Sequence, residues 1–478
     1  MQPLSRQFKQ RATIAIKDAN LQAALGKAKE GFVGKRAAAI AELPEFEQLR
    51  EEAKAIKDHT LANLDFYLER YEAQVKKYGG HVHWAKTAED AQRIVLDICR
   101  KANAKTVTKG KSMVSEECGI NEVLEAAGME VVETDLGEYI IQLAHEPPSH
   151  IIAPAVHKTK AQVSDLFHTH HAKFGLTRRL TEVADLVNEA RQVLRKQFFR
   201  ADVGITGGNF LVAETGSSII VTNEGNGDLT QTLARVHIVT SGIERVVPTL
   251  DDATTFLRLL ARSATGQETE TYTTISTGPR RSGDLDGPEE YHVVLVDNGR
   301  SRMLGGQFRD MLRCIRCGAC MNHCPVYGAI GGHAYGWVYP GPMGSVLTPL
   351  FTGLDVAYDL PNACTLNGRC QSVCPVKIPL PDLLRELRHR QYEEKITPAY
   401  QRLALSAWAF LAKRPRLYHA VMRIPVGVLG WFGRGRGSFA SLPLASAWTR
   451  SREMPAPQGK TFQQAWRERM ENRDERRT

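Results

Sequence analysis

The sequence of 478 residues contains no apolar run long enough to cross a membrane. Its longest uncharged apolar stretch, Ile424 to Phe432, is far shorter than the roughly 20 residues that a spanning helix needs. The N-terminal residues lack an apolar segment followed by a small-residue cleavage site, so we expect no export by a signal peptide. The patterns GxGxxG and GxxxxGKS/T are missing where a nucleotide site would require them, so the sequence predicts neither an NAD nor an ATP site.

Acidic residues are missing from one segment, residues 401–452, which we call the basic segment. The chain has 62 Lys and Arg against 53 Asp and Glu, a formal charge of +9. The basic segment contains nine Lys and Arg and no Asp or Glu, so it carries the whole excess. The rest of the chain is electroneutral.

Cysteine is scarce outside one region. Of nine cysteines, only Cys99 and Cys118 lie outside residues 314–374. These two lie in helix-like segments, where we expect buried, small, apolar side chains. A group as dense as the other seven is typical of metal or redox chemistry rather than of structural disulfides.

The first cysteine motif reads CIRCGACMNHCP from Cys314 to Pro325. This is the C-x2-C-x2-C-x3-C-P spacing of bacterial two-cluster ferredoxins. The short gaps let one loop surround a cluster with three thiolates, and Gly318 permits the turn. The fourth cysteine, Cys324, points to a second cluster. Neither a zinc ribbon nor a disulfide knot accounts for the third cysteine and the Cys-Pro ending.

The second motif reads CTLNGRCQSVCP from Cys364 to Pro375, with Asn367 where a second cysteine would stand. Pairing the two motifs assigns four thiolates to a first 4Fe–4S cluster and three to a second cluster. The predicted ligands are Cys314, Cys317, Cys320 and Cys374 for the first cluster, and Cys324, Cys364 and Cys370 for the second.

The missing thiolate leaves two possibilities for the second cluster. It is either a 3Fe–4S cluster, or a 4Fe–4S cluster whose fourth iron is bound by water, hydroxide or a side-chain oxygen near Asn367. The spacing C-x5-C-x3-C-P resembles the three-cysteine motif of succinate dehydrogenase and fumarate reductase iron–sulfur subunits, whose second cluster is 3Fe–4S. We favour 3Fe–4S.

The region before the cysteines alternates strand and helix patterns. Strands are predicted at 104–108, 129–133, 217–223, 235–240 and 244–250, and helices at 112–127 and 180–200. Helical patterns are also found over 7–78 and 382–395, with short helices at most elsewhere between 301 and 395. The alternation predicts a parallel sheet with helices on its faces.

Three glycine-rich runs resemble the signature of the lactate-utilization (LUD) domain. They read ADVGITGGN (201–209), AETGS (213–217) and VTNEGNG (221–227). With the cysteine motifs and the basic segment downstream, the whole chain is similar to the lactate utilization protein B family. The resemblance implies a sugar-phosphate-isomerase-like α/β fold and a cytoplasmic iron–sulfur subunit of a system that oxidises L-lactate to pyruvate. It also implies two partners, a protein with a cysteine-rich redox domain and a second LUD-domain protein.

We therefore predict an α/β LUD domain, an α-helical ferredoxin-type two-cluster domain and a basic helical C-terminal region. The predicted boundaries are 1–65 for an N-terminal helical region, 66–300 for the LUD domain, 301–395 for the cluster domain and 396–478 for the C-terminal docking region.

Polar side chains near the strand ends of the LUD region are candidate ligand-binding residues. Strand-end loops of open α/β sheets are where ligands bind. The candidates, for a small anionic or polyol ligand, are Lys109, Ser112, Thr206, Glu214, Thr215, Asn223 and Glu224. The same residues fit ordinary turn chemistry, which we favour for them.

The sequence His168-Thr-His170-His171 lies in a helix-like segment. Residues 168 and 171 share a helix face and 170 does not, so we expect a surface cluster rather than a metal site.

Three kinds of partner are conceivable for the basic segment: nucleic acid, anionic lipid and another protein. No nucleic-acid motif accompanies the charge, so we expect no nucleic-acid partner. Peripheral contact with anionic lipid would use residues 404–412 and 426–432 as an apolar face. We favour docking onto a partner protein, because an electron carrier must lie close to its donor and acceptor.

The most direct functional prediction is an electron-transfer subunit of an L-lactate-oxidising complex rather than its catalytic subunit. One alternative is a self-sufficient 2-hydroxy-acid dehydrogenase with substrate bound in the LUD domain. The other is a binding or redox-sensing module whose clusters serve structure or sensing.

Overall fold

The computed structural model describes residues 3–443, 445–449 and 452–475. The chain divides into two compact units, the first ending at Gln391 and the second beginning at Tyr392. The first unit contains the N-terminal helices, an α/β region and both cysteine motifs. The second contains the basic segment.

From residue 3 onward, four α-helices precede the α/β region, in agreement with the helical pattern of residues 7–78. They are α1 Phe8–Ala15, α2 Ala19–Ala41, α3 Phe46–Ala62 and α4 Leu64–Lys77. Helix α2 begins after Asp18, whose carboxylate accepts hydrogen bonds from two backbone N–H groups of the first turn. Helices α3 and α4 are amphipathic: each buries one apolar stripe, including Leu49 in α3 and Tyr71 in α4.

In the described part of the first unit, ten strands form two sheets. They are β1 His81–Ala85, β2 Thr106–Gly110, β3 Glu130–Glu133, β4 Val203–Gly207, β5 Phe210–Val212, β6 Ser217–Thr222, β7 Val236–Gly242, β8 Val246–Val247, β9 Tyr272–Ser276 and β10 Glu290–Val296. The larger sheet is parallel, in the order β1-β10-β7-β4-β2-β3. The smaller sheet has the order β8-β5-β6-β9. The parallel sheet with helices confirms the predicted α/β class.

The strand order of the larger sheet reverses beside β2. Strand β3 lies on one side of β2, whereas β4, β7 and β10 follow in turn on the other side. The chain therefore crosses over in opposite directions after neighbouring strands. A crevice forms at the carboxyl ends of the strands at such a reversal, and it is the usual ligand position in open α/β sheets.

Helices connect these strands and continue through the cysteine region. Those of the α/β region are α5 Ala88–Lys101, α6 Met113–Cys118, α7 Ile120–Ala126, α8 Leu136–Leu143, α9 Lys160–His170, α10 Val183–Arg200, α11 Asn226–Leu233 and α12 Leu250–Ala264. Those that follow are α13 Ser301–Leu304, α14 Ala319–Asn322, α15 Tyr327–Ile330, α16 Gly341–Thr352, α17 Asp359–Asn362, α18 Arg369–Ser372 and α19 Leu380–Glu393.

Several elements differ from the sequence predictions. Strands β1, β4, β5, β9 and β10 were not predicted. The helix predicted over 112–127 is two helices, because Gly119 between them has a left-handed φ of 66°. The strand predicted over 244–250 is reduced to Val246–Val247. Helix α16 was not predicted: its residues from Gly341 to Pro349 are all buried, so no polar face reveals a helical period.

One hydrophobic core joins three of the predicted regions. It includes Phe46 of α3, Phe256 of α12, and Leu347 and Leu384 of the cysteine region. The N-terminal helices, part of the LUD region and the cysteine region therefore bury apolar surface against one another.

The second unit is mainly helical, as predicted for the C-terminal region. Its elements are α20 Ala399–Ala412, α21 Pro415–Gly433, β11 Ser438–Phe439, α22 Ser446–Thr449, β12 Met454–Pro455 and α23 Phe462–Glu475. Helix α20 buries none of its residues within the structure, and α21 buries only Gly430 and Gly433. Across the described ranges, no helix has the length and hydropathy that crossing a bilayer requires.

Candidate iron–sulfur site and adjoining cavity

The two cysteine motifs share one backbone conformation. Each position of the first motif corresponds to the position 50 residues later in the second. Arg316 and Leu366 have φ values of 60° and 54°, and Gly318 and Gly368 have φ values of 75° and 79°. The short helices α14 and α18 then begin at equivalent positions. The predicted turn at Gly318 is therefore present, and it is repeated at Gly368.

Four thiols line a single cavity in the first unit. They belong to Cys314, Cys317, Cys320 and Cys374, the four predicted ligands of the first cluster. Apolar side chains, including Met343 and Val376, form the rest of the wall. Burial, reinforced by the neighbouring thiols, raises the pKa of Cys317 to about 12 and that of Cys374 to about 11. Such thiols stay protonated unless a metal displaces their protons, so this donor set fits an iron–sulfur cluster.

The other three predicted ligands also lie close together. Burial and the neighbouring thiols of Cys364 and Cys324 raise the pKa of Cys370 to about 12. Burial raises the pKa of the Cys324 thiol, and Cys364 adds to that effect. Three thiolates are enough to hold a cluster and leave one ligand position without sulfur.

Asn367 places an oxygen where the first motif has a sulfur. The thiol of Cys317 accepts a hydrogen bond from the backbone N–H of Ala319. At the equivalent turn, Oδ1 of Asn367 accepts a hydrogen bond from the backbone N–H of Arg369, at 3.0 Å. The Asn367 residue is exposed. The fourth position of the second group is thus next to solvent and an amide oxygen.

Backbone N–H groups also point at sulfur atoms outside the short helices. The nitrogen of Leu366 lies 3.3 Å from Sγ of Cys364, and that of Ile378 lies 3.4 Å from Sγ of Cys374. Hydrogen bonds to sulfur stabilise the thiolate form and raise the reduction potential of a bound cluster.

Arginines of the N-terminal helices hold the second motif. Arg36 donates from Nη2 to the carbonyl oxygen of Val373 at 2.9 Å. Arg50 donates from Nε and Nη2 to the carbonyl oxygen of Cys374 at 3.0 and 2.8 Å. These bonds bring two guanidinium groups of α2 and α3 beside the first group of thiols. The sequence pattern of these helices, helical and highly charged, indicates no role at the site.

A buried charge network connects the LUD region with the first motif. Glu117 accepts two hydrogen bonds from Arg300, at 2.8 and 2.7 Å, and a third from the hydroxyl of Tyr339 at 2.6 Å. Burial opposes ionisation of Glu244, but Arg300 and Arg316 outweigh it and lower the pKa of Glu244 to about 2. Arg316, between two predicted ligands, is therefore held by an ion pair from the LUD region.

A second cavity opens at the carboxyl edge of the larger sheet. Its lining includes Ser112 after β2, Asn209 after β4 and Thr240 in β7, together with Arg245 and Arg316. We call it the edge cavity. It lies at the strand-order reversal, where a ligand site is expected.

Three of the seven candidate ligand residues lie at or near this cavity. Ser112 and Asn223 line it. Glu224 carries a carboxylate 3.6 Å from Nζ of Lys111, which also lines the cavity.

The structure places the other four candidates elsewhere. Lys109 is fully buried and ion-paired with Glu133 at 2.8 Å, and Thr206 is hydrogen-bonded to the ring of His237 at 2.8 Å. Glu214 accepts a hydrogen bond from the first backbone N–H of α12, at 3.3 Å. Thr215 bonds to Ser217 in its own turn. These contacts are internal ion-pair, core and turn interactions.

Many other residues that line the edge cavity were not among the candidates, including Asn209, Thr240, Arg245 and Arg316. Asn209 ends a glycine-rich run, and Arg316 lies inside the first cysteine motif, so both carried a positional signal. Arg245 and Thr240 lie in strand-like sequence, where no local pattern distinguishes a cavity residue from a core residue.

The histidine cluster was predicted to lie on the surface, and for His171 this is wrong. Its side chain is buried, with Nδ1 2.7 Å from Glu189 and Nε2 2.9 Å from the hydroxyl of Tyr139. The helix ends at His170, and a tighter turn then carries His171 inward. Cys99 and Cys118 are buried as expected.

Three family models match consecutive parts of this chain. The LUD domain matches residues 68–296, the 4Fe-4S dicluster domain residues 310–378, and the C-terminal region of lactate utilisation protein B residues 387–471. The fold and the thiol groups thus define a LUD-domain protein that binds iron–sulfur clusters.

Curated relatives agree over nearly the full length. Lactate utilization protein B of Bacillus licheniformis is 44% identical over 476 residues, which is 98% of each chain. The Bacillus subtilis protein of the same name is 46% identical over 461 residues, 95% of each chain. An Escherichia coli protein named "Uncharacterized electron transport protein YkgF" is 44% identical over 457 residues, 95% of each chain. The chain belongs to the lactate utilization protein B family.

Proposed function

We propose that this chain is the iron–sulfur electron-transfer subunit of a cytoplasmic complex that oxidises L-lactate to pyruvate, with no NAD or ATP site of its own. The observation that carries the proposal is the pair of thiol groups beside a LUD fold. Relatives named for lactate utilization and for electron transport support the substrate and the role. When bound, the two clusters would supply one-electron carriers.

The chain's own residues would hold and tune these carriers. Apolar walls exclude water from the first group of thiols, and N–H groups and the cations Arg36, Arg50 and Arg316 surround it. Positive charge near a cluster favours its reduced form. For the second cluster we propose the 3Fe–4S form, held by Cys324, Cys364 and Cys370.

We propose that the basic segment docks onto the partner subunits, a protein with a cysteine-rich redox domain and a second LUD-domain protein. Large aromatic side chains of α20 and α21 are exposed within the structure, among them Trp408, Trp431 and Phe432. Exposed aromatic residues with arginine are typical of protein interfaces. Steeply salt-dependent binding to anionic liposomes, without partner binding, would instead indicate peripheral membrane contact.

The test of the function is EPR spectroscopy of the anaerobically purified chain, with iron and sulfide counting, before and after addition of L-lactate. We expect cluster signals in the isolated chain, and reduction by lactate only when the partner proteins are present. Clusters that lactate cannot reduce in the complete complex would contradict the proposal.

The edge cavity favours a second candidate, a self-sufficient 2-hydroxy-acid dehydrogenase. A ligand there would lie against Arg316, next to the first group of thiols. Lactate-dependent bleaching of the isolated chain's iron–sulfur absorbance would support this candidate. A strict requirement for the partner proteins would exclude it.

A further inference from the structure

The edge cavity contains a buried guanidinium group, that of Arg245, which shares the carboxylate of Glu244 with two other arginines. Arg245 is 8% exposed, and its Nη1 has no hydrogen-bond partner among the described residues. The adjacent carboxylate of Glu244 is already engaged, with Arg300 at 2.7 Å and Arg316 at 3.5 Å. A buried guanidinium nitrogen without a hydrogen-bond partner is costly. The arrangement points to an anion from outside the chain.

A second guanidinium group strengthens this positive field. Arg316 lines the same cavity, with its guanidinium 4.4 Å from the centre of the Tyr339 ring. Burial and the nearby charge of Arg316 lower the pKa of Arg245, so the two groups repel each other. A carboxylate beside both guanidinium groups would remove this repulsion and form charge-assisted hydrogen bonds.

The acidic side chains of the cavity do not cancel the positive charge of Arg245 and Arg316. Asp135 is ion-paired with Lys111. Burial, together with the charges of Glu133 and Asp135, raises the pKa of Glu138 well above its usual value. Burial raises the pKa of Glu270 to about 6. These groups therefore repel an incoming anion less than ordinary carboxylates would.

Neutral hydrogen-bonding groups share the cavity with the arginines. The hydroxyls of Ser112 and Thr240 lie 2.6 Å apart, and Asn209 is fixed by a bond from the backbone N–H of Val221 to its Oδ1, at 3.1 Å. Hydroxyl and amide groups next to a guanidinium pair suit a ligand with a hydroxyl or oxo group beside its carboxylate.

We propose that the edge cavity binds a small carboxylate with a 2-hydroxy or 2-oxo group, and that Arg245 is the charge partner of the carboxylate. This site goes beyond the electron-transfer role. It deepens the second candidate function, a 2-hydroxy acid bound in this cavity, and it rests on the proposed function for its ligand class and for its probes, L-lactate and pyruvate.

The position of the cavity gives the ligand a particular neighbour. Arg316 and Ile151 line both the edge cavity and the cavity of the first four thiols. A bound ligand would therefore be separated from the predicted first cluster by a single layer of side chains.

The test is isothermal titration calorimetry of the anaerobically purified full chain with L-lactate, pyruvate and the neutral analogue L-lactamide. We expect both anions to bind and lactamide to bind at least about 10-fold more weakly. Arg245→Gln should weaken anion binding about 10- to 100-fold, since hydrogen bonds to charged groups are the strong ones. Arg245→Lys, which keeps the charge, should bind with intermediate affinity.

The matched control is Arg258→Gln, which changes an exposed arginine paired with Glu45 on the surface. It should bind the anions as the unaltered chain does. Circular dichroism and iron content show whether the Arg245→Gln chain is folded. If it is not, the affinity of the Arg245→Lys chain and the comparison of L-lactate with L-lactamide test the site instead.

Three results would overturn the site: no binding of either anion at millimolar concentration, equal binding of lactamide, or unchanged binding in the folded Arg245→Gln chain. A variant with a shifted cluster potential but unchanged anion binding would show that Arg245 only balances the charge of the cluster. Dithionite reduction followed by EPR tests the clusters independently of anion binding. A chain that binds neither anion but contains reducible clusters would therefore contradict the anion site and not the proposed electron-transfer function.

Discussion

At the scale of single residues, Asn367 is exposed and its counterpart Cys317 is buried, but the two lie in equivalent turns and present an oxygen and a sulfur atom. Both side chains accept a backbone N–H from the residue two positions later. We therefore predict that Asn367→Cys completes a fourth thiolate without rearranging the backbone. The 3Fe–4S EPR signal of the oxidised chain should disappear, and the iron content should rise by one atom per chain.

The control for this substitution is Asn362→Cys. Asn362 is exposed in the neighbouring helix α17, outside the motif, and a thiol there adds a cysteine without a place in the cluster. Its spectrum and iron content should match those of the unaltered chain. An unchanged 3Fe–4S signal in Asn367→Cys would contradict the assignment of position 367.

The buried ring of His237 predicts a sensitivity to acid. Burial, with a smaller effect of His292, lowers the pKa of His237 to about 3, against about 6.5 in the unfolded chain. The unfolded chain therefore binds an extra proton below about pH 6.5, and stability falls as the pH falls toward 3. Between about pH 7 and pH 5 this residue should account for a loss of about 2 kcal/mol.

Urea unfolding of His237→Gln at both pH values measures that loss. The variant should lose about 2 kcal/mol less on acidification than the unaltered chain. The exposed His168 is the matched control, and His168→Gln should show the original pH dependence. An identical pH dependence in all three chains would show that His237 titrates normally.

At the scale of elements, the edge cavity depends on the close approach of two strand ends. A Cβ added to Gly207, at the end of β4, would lie 2.3 Å from the carbonyl oxygen of Lys111 after β2. We predict that Gly207→Ala lowers the free energy of unfolding by about 1–3 kcal/mol and weakens anion binding in the cavity.

Gly283→Ala provides the comparison, because a Cβ at Gly283 would meet nothing within 4 Å. Its unfolding free energy should change by less than about 0.5 kcal/mol in the same chemical denaturation experiment. Equal stability of the two variants would mean that the strand ends separate at little cost.

The alternation of strands and helices was readable from the sequence because buried parallel strands are continuous β-branched runs bounded by turns. Strands β2, β3 and β7 follow that pattern. Strand β6, which is antiparallel to both of its neighbours, and helix α10 were also predicted. The order of the strands was not readable, since it depends on contacts between distant segments. Helix α16 was hidden because its residues from Gly341 to Pro349 are all buried, so it has no exposed polar face there.

The cysteine site and the edge cavity differed in how far the sequence reveals them. Ligand spacing is local, so the residues of both thiol groups could be named in advance. The edge cavity draws Ser112, Arg245 and Arg316 from three separate segments. Lys109 is a suitable ligand residue by type and by position in the sequence. In the folded chain, however, its ammonium group is ion-paired with the carboxylates of Glu116 and Glu133, and the sequence does not show that these side chains meet.

At the scale of the whole molecule, the charge excess lies in the second unit and the predicted redox sites lie in the first. Attraction between a basic surface and acidic partners is screened by salt. We predict that Arg434→Gln combined with Arg436→Gln weakens association with the partner proteins about 5- to 10-fold at low salt. Co-elution from a size-exclusion column at low and high salt measures this.

The companion variant changes Arg281 and Arg302 to Gln, two exposed arginines of the first unit. It removes the same charge from outside the basic segment and should leave association unchanged. If both double variants are weakened to the same extent relative to the unaltered chain, net charge rather than the basic segment determines binding.

The matching backbones of the two cysteine motifs have an evolutionary consequence. A repeat offset by 50 residues, with the same left-handed positions, is the mark that a duplication leaves. On the predicted assignment each copy donates its final cysteine, Cys324 or Cys374, to the cluster of the other copy. On that assignment, deletion of either copy would remove ligands from both clusters, whereas a change at the exposed position 367 is expected to alter one cluster alone. The type of the second cluster then depends on one position, whereas the presence of both clusters depends on both copies.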